Sequence, residues 1–117
     1  MTVIDPGHRF LVRQLDSNSQ QLMRFVKREG IGYPGNIGHY PGTNIQEVLR
    51  VLISRTQYLQ KQIPCWQNDI CTFLYRLALN LLEHRAAKRH NRPFAWNLKT
   101  IELQPINPLD GHIKEIM

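Results

Sequence analysis

The sequence predicts an α+β protein: a small antiparallel β-region at the N-terminus, then a long antiparallel helical hairpin, assembled into an oligomer. Three observations carry this. Residues 8–29 hold two short runs rich in apolar and β-branched residues, separated by a turn cluster. Residues 43–92 keep apolar side chains at three- and four-residue steps over two segments divided by a proline. A single two-helix hairpin cannot enclose a core by itself, so further copies of the chain are expected to cover its remaining apolar faces.

Taken in order, "HRFLVRQL" and "QLMRFVKRE" read as strands flanking "DSNSQ", although "SNSQQLMRFVKR" is also compatible with a helix. "GIGYPGNIGHYPGT" has five glycines and two prolines in fourteen residues, a composition that suits a loop or tight hairpin and no element interior. The first helix is expected to open at "GTNIQEV", with Thr43 as N-cap, Gln46 completing a capping box and Glu47 in the first turn. Ile45, Val48, Leu49, Leu52, Thr56, Leu59 and Ile63 follow the helix period. Val51, Ile53 and Tyr58 widen the apolar arc to two sides, and Pro64 ends the helix. The second helix begins near Trp66 or Asn68, runs through Ile70, Leu74, Leu77, Leu81 and Arg85, and stops around His90 to Asn91, before Pro93. The short link "IPCWQN" makes the two helices antiparallel neighbours. Beyond them, "LKTIELQ" reads as a short strand and "PINPLDGHIKEIM" as loop. The expected organisation is a single domain, 1–117: β-region and glycine-rich loop to residue 43, hairpin over 44–92, strand and tail over 93–117.

Composition narrows the function. No stretch approaches the ~20 apolar residues of a membrane span, and "MTVIDPGHRF" lacks the basic start and apolar run of a signal peptide. Cys65 and Cys71 have a spacing that suits neither a zinc site nor a disulfide framework, so a reducing cytosolic setting is expected. The net charge is +6, and it is uneven: residues 50–92 hold eight Lys/Arg against Asp69 and Glu83. Such a half points to an anionic partner.

The charge peaks in "LLEHRAAKRHNRPF". Arg85 and Arg89 stand one turn apart on one face, where like charges repel. The helix dipole favours cations there, but an anion between the two would relieve the repulsion, and guanidinium forks suit phosphate oxygens. Gly42 and Thr43 would sit at a helix N-terminus, where backbone amides accept phosphate, although the residues alone favour a plain connector. The loop has no Walker pattern. Tyr33, Tyr40, Tyr58 and Trp66 are candidates for stacking on bases, and Asn68 stands between an N-cap and an amide that reads a base edge. The histidines show no metal spacing, no acids are paired for general acid–base work, and no nucleophile motif occurs. Binding without turnover, and without cofactor or metal, is the expectation.

From Pro41 to Arg89, "PGTNIQEVLRVLISRTQYLQKQIPCWQNDICTFLYRLALNLLEHRAAKR" resembles a helical-hairpin domain of bacteriophage proteins. That domain is shared by the type one Thoeris anti-defence proteins and the anti-CBASS cyclic-nucleotide sponges. The preceding "FVKREGIGYPGNIGHYPGTN" looks like the longer, Thoeris-type members, so the likeness spans Phe25 to Arg92. The resemblance implies a hexameric sponge in the cytoplasm of the infected bacterial host. It would bind cyclic ADP-ribose isomers made by TIR-domain proteins, and cyclic di- or trinucleotides, without cleaving them. By position, the ADP-ribose-isomer site falls on Tyr58, Asn68, Arg85 and Arg89, and the cyclic-trinucleotide site on Gly42 and Thr43. Gln67 stands where the family frequently has an acid, a change at the pocket rim. A small basic DNA- or RNA-binding phage regulator is the alternative, and a messenger-cleaving enzyme a further one; neither nucleic acid nor membrane is the expected partner.

Overall fold

The computed structural model describes residues 1–28 and 39–114, which fall into two compact units, Met1–Asn44 and Ile45–Met117. The first unit is built on an antiparallel sheet in the order β1 (Thr2–Asp5), β2 (Arg9–Arg13), β3 (Gln20–Arg24). The two expected strand runs are β2 and β3, and β1 is an addition. Its local cause is "DPGH": Pro6 and Gly7 occupy the two central positions of a turn, Gly7 at φ +79°, and the His8 N–H donates to the Asp5 carbonyl at 2.9 Å. Proline then glycine there is the type II pattern. Asp16, at φ 59°, makes the left-handed step between β2 and β3.

The helical alternative for the second run loses to cross-strand pairing. Phe10 stands opposite Met23 and Leu11 opposite Leu22. A bulge between Val3 and Asp5 brings Asp5 opposite Arg9, which is itself opposite Arg24. The chain then returns along β3's continuation: Lys27 and Tyr40 exchange backbone hydrogen bonds at 3.0 Å, and the Thr43 N–H donates to the Arg24 carbonyl at 3.0 Å. Gly42 is required there. A Cβ on it would lie 2.5 Å from the Phe25 carbonyl carbon and 2.7 Å from the Arg24 carbonyl oxygen.

The second unit is the helical hairpin, α1 (Ile45–Gln62) and α2 (Trp66–Arg89), with the tail folded onto it. The start of α1 differs from expectation. Asn44, not Thr43, precedes the helix, and Gln46 does not close a capping box: it is buried, with its Nε2 3.4 Å from His112 Nδ1. Burial against the tail outweighs a local bond that any solvated Gln can make. The hairpin link is held by Gln60, whose Oε1 accepts from the Cys65 N–H at 2.9 Å while its Nε2 donates to Asp69 at 3.2 Å. At the far end Asn91 takes φ 55°, and the Arg92 N–H reaches back to the Ala87 carbonyl at 2.8 Å and the Asn91 N–H to the Lys88 carbonyl. That is a Schellman ending, with Pro93 just beyond it.

Leu49, Ile53, Leu79 and Ile101 form the core of this unit, flanked by Tyr75, Ala78, Leu82, Phe94 and Ile113. The expected strand over "LKTIELQ" is absent. Asn97 turns the chain by accepting the Lys99 and Thr100 amides, and a 3-10 turn, Ile101–Leu103, drops Ile101 into the core. Among the described residues no strand lies beside it to pair with. The later tail is more ordered than loop: Ile106 and Ile113 form an antiparallel bridge. Only the Leu49–Ile53 side of α1 is buried. Ile45, Leu52, Leu59 and Ile63 are exposed, as are Trp66, Ile70, Phe73, Leu74 and Leu81 on α2. No helix among the described residues is long and apolar enough to cross a membrane. Most of the glycine-rich loop, with Tyr33, lies outside the described residues.

Candidate functional site

The cations of "LLEHRAAKRHNRPF" are placed by α2 and its ending. Glu83, the one acid in that stretch, points into the unit: it is 2% exposed, accepts from Arg50 Nη2 at 3.2 Å and from the Ile113 N–H at 3.3 Å, and has His112 Nδ1 at 3.5 Å. It therefore does nothing to neutralise the outer face. Arg85, Lys88 and Arg89 are exposed, and neither Arg85 nor Arg89 has a carboxylate partner among the described residues. The last carbonyls of α2 are already met by the Schellman bonds, so the two guanidinium groups remain available for an anion in solution. His84, the residue before Arg85, packs instead on Phe94 and Trp96, with ring centres 5.7 and 5.4 Å away.

Tyr58 and Asn68 lie at the other end. Tyr58 is exposed near the end of α1, with Gln62 Nε2 donating to its hydroxyl at 3.0 Å and the Arg55 guanidinium 5.8 Å from its ring centre. Asn68 is the third residue of α2, half-buried, and is not the cap; the link amide is taken by Gln60. Its side-chain amide makes no hydrogen bond among the described residues. Along α2, Asn68 and Arg85 are about 25 Å apart at the helical rise. One chain therefore brings Arg85 and Arg89 together but keeps both away from Tyr58 and Asn68.

Thr43 does not offer the free amide expected of a helix N-terminus. The Thr43 N–H is committed to the Arg24 carbonyl, and α1 starts two residues later. Trp66 is exposed at the start of α2, whereas Tyr40 is engaged in the sheet unit. Cys65 and Cys71 are free thiols, and no group of three metal-ligating side chains occurs among the described residues. Between the α2 ending and the tail, Glu83, His90, Arg92, Phe94 and His112 line a cleft of about 50 Å³. That is room for a water or two, well short of the ~300 Å³ of a ligand of nucleotide size.

A second gathering of cations escaped the sequence reading. In the sheet unit the Arg9, Arg24 and Lys27 charges lie 5.3, 5.9 and 5.8 Å from the centre of the Tyr40 ring. The Tyr40 hydroxyl donates to Asp5 Oδ2, and Lys27 Nζ reaches the same oxygen at 3.1 Å. Those two bonds, Tyr40's foremost, hold the Asp5 carboxyl below its usual range. Burial, then the bond to Asp5, pushes the Tyr40 hydroxyl up. The signal in the sequence was weak: alternating cations in two strands become neighbours only once the register is known.

No family model matches the chain, and no curated protein or solved structure matches it either.

Proposed function

We propose that the protein is a sponge for cyclic nucleotide messengers: it binds cyclic ADP-ribose isomers, and cyclic di- or trinucleotides as a second class, and holds them without cleaving them. The setting is the cytoplasm of a bacterium infected by phage, where such messengers are made by immune sensors. The observation that carries the reading is the Arg85–Arg89 pair, exposed on one face of α2, with Glu83 turned inward to Arg50 and Asp110 paired with Arg92. The pyrophosphate of a cyclic ADP-ribose isomer has the charge and span that two adjacent guanidinium groups accept. Tyr58 supplies a stacking face and Asn68 an unused amide for the polar edge of the base.

The pocket is shared between copies in a hexamer. The ~25 Å between Asn68 and Arg85 supports this, as do the uncovered apolar stripes of both helices. Enclosure between two chains strengthens charge-assisted hydrogen bonds, and nanomolar retention needs ~12 kcal/mol, more than one exposed arginine pair supplies. For the cyclic trinucleotide the reading keeps Gly42 and Thr43, without the Thr43 amide, which is committed to the Arg24 carbonyl.

Calorimetric titration with a cyclic ADP-ribose isomer tests the proposal. Replacing Arg85 or Arg89 by alanine is expected to weaken binding roughly ten- to a hundredfold, and the double replacement to abolish it. The melting temperature should hold, since a like-charge repulsion is removed. Ligand recovered intact after heating the complex separates binding from cleavage. Undiminished affinity in the folded double variant would sink the reading. Salt-sensitive binding of duplex DNA in place of the messenger would favour a nucleic-acid regulator.

A further inference from the structure

We propose that the sheet unit carries a second anion site, independent of Arg85 and Arg89, in which Arg9 and Arg24 grip the phosphate oxygens of a small phosphorylated ligand. Directly opposed residues of an antiparallel pair share one face of the sheet, and Arg9 and Arg24 are directly opposed. Like charges so placed destabilise a sheet. Here Lys27, buried, adds a third positive charge around the same Tyr40 ring. The carboxylate in their row, Asp5, is taken by the Tyr40 hydroxyl and Lys27. Neither Arg9 nor Arg24 has a carboxylate partner among the described residues.

Arg9 Nε is shielded from solvent and has no hydrogen-bond partner among the described residues, so an anion on the open side would be met by the terminal nitrogens of the two forks. Arg24 is exposed and Arg9 half-buried, so the pair forms a charged wall with one side open to solvent. The Tyr40 ring orders the guanidinium planes through cation–π contact. Two forks so arranged suit a multiply charged phosphate oxyanion, which offers several acceptors in one compact group. Tyr40 takes no part as a donor, because its hydroxyl is committed to Asp5.

The test uses the full chain carrying Arg85→Ala and Arg89→Ala, so that the helix arginines contribute nothing. Inorganic pyrophosphate is titrated by calorimetry at matched ionic strength. Saturable binding is expected, and adding Arg9→Gln or Arg24→Gln should weaken it roughly tenfold or more without lowering the melting temperature. A readout that needs no sheet mutation is the side-chain Nε–H signal of Arg9 in ¹⁵N NMR, which should move on saturation. Absence of saturable binding in the Arg85→Ala/Arg89→Ala chain, unchanged affinity after the sheet substitutions, or an unmoved Arg9 signal would each overturn the proposal. Failure of the sponge reading would show separately, as wild-type protein that binds pyrophosphate but no cyclic messenger.

Discussion

Glu102 shows how one residue binds the tail to the hairpin. Arg76 donates to both of its oxygens, at 2.9 and 2.8 Å, across 26 positions of sequence. Burial alone would raise its carboxyl. The Arg76 fork and a backbone hydrogen bond outweigh that and hold it below the ordinary 4.5. A carboxyl lowered by folding contributes stability above 4.5, and that contribution is lost as pH falls through the lowered value. Asp5 in the sheet unit has the same sign, chiefly through Tyr40 and then Lys27. Glu102→Gln should therefore cost about 1–3 kcal/mol at neutral pH and flatten the acid limb of the stability curve. Urea unfolding over a pH series measures both. An acid limb as steep as wild type would show that Glu102 does not set it. Little of this was legible beforehand: Arg76 and Glu102 lie on elements whose packing no spacing rule foretells.

At the scale of elements, α2 meets different neighbours on different sides. Its period was plain in the sequence, but Asn80, on the side of α2 that meets the tail, reads there as an ordinary polar position. In the structure it is fully buried: its Nδ2 donates to the Arg76 and Asn97 carbonyls at 2.7 and 2.8 Å, and its Oδ1 accepts the Asn97 N–H at 2.9 Å. An amide matches a peptide group donor for acceptor, so one side chain pins the tail as a strand would. Asn80→Ala should destabilise the protein by about 1–3 kcal/mol, because the Asn97 groups lose their partners. Hydrogen exchange should rise at Asn97 and through Ile101 while the rest of α2 stays protected. Unchanged exchange in the tail would mean that the core contacts of Ile101 suffice. The strand expected over residues 98–104 failed because Ile101 is the one of its three apolar residues that is buried, against the helices, while Leu98 and Leu103 stay exposed.

For the whole molecule, the unanswered demand is the exposed apolar surface of the hairpin. On α2, Trp66, Ile70, Phe73, Leu74 and Leu81 recur at helical spacing and stay exposed, Trp66 at 69%. Monomeric proteins rarely leave a contiguous apolar patch beyond a few hundred Å² uncovered. Light scattering should give a mass six times 13.7 kDa, and Leu74→Glu with Leu81→Glu should reduce it, by burying charge in the interface. On the sponge proposal the messenger affinity should fall with it, since that proposal needs Tyr58 and Asn68 of one copy to meet Arg85 and Arg89 of another. A monodisperse monomer at micromolar concentration would remove the shared pocket.

Local rules were enough for the hairpin: periodicity placed both helices to within a residue or two, Pro64 and Pro93 marked their ends, and "DSNSQ" marked the β2–β3 turn, its last residue, Gln20, opening β3. Helix period, proline sterics and turn chemistry act within a few residues, so a single sequence displays them. What tertiary structure decided was pairing at long range. Glu83 became silent on the outer face because Arg50, on the other helix, took it inward. Thr43 does not adjoin α1, and both its amide and its carbonyl are taken by the chain at and after β3, by the Arg24 carbonyl and the Val26 N–H. Arg9 and Arg24 became neighbours because a turn and a register set them opposite. Each outcome depends on which distant group the fold brings to a donor, an acceptor or a charge, and no local pattern in the sequence displays that pairing.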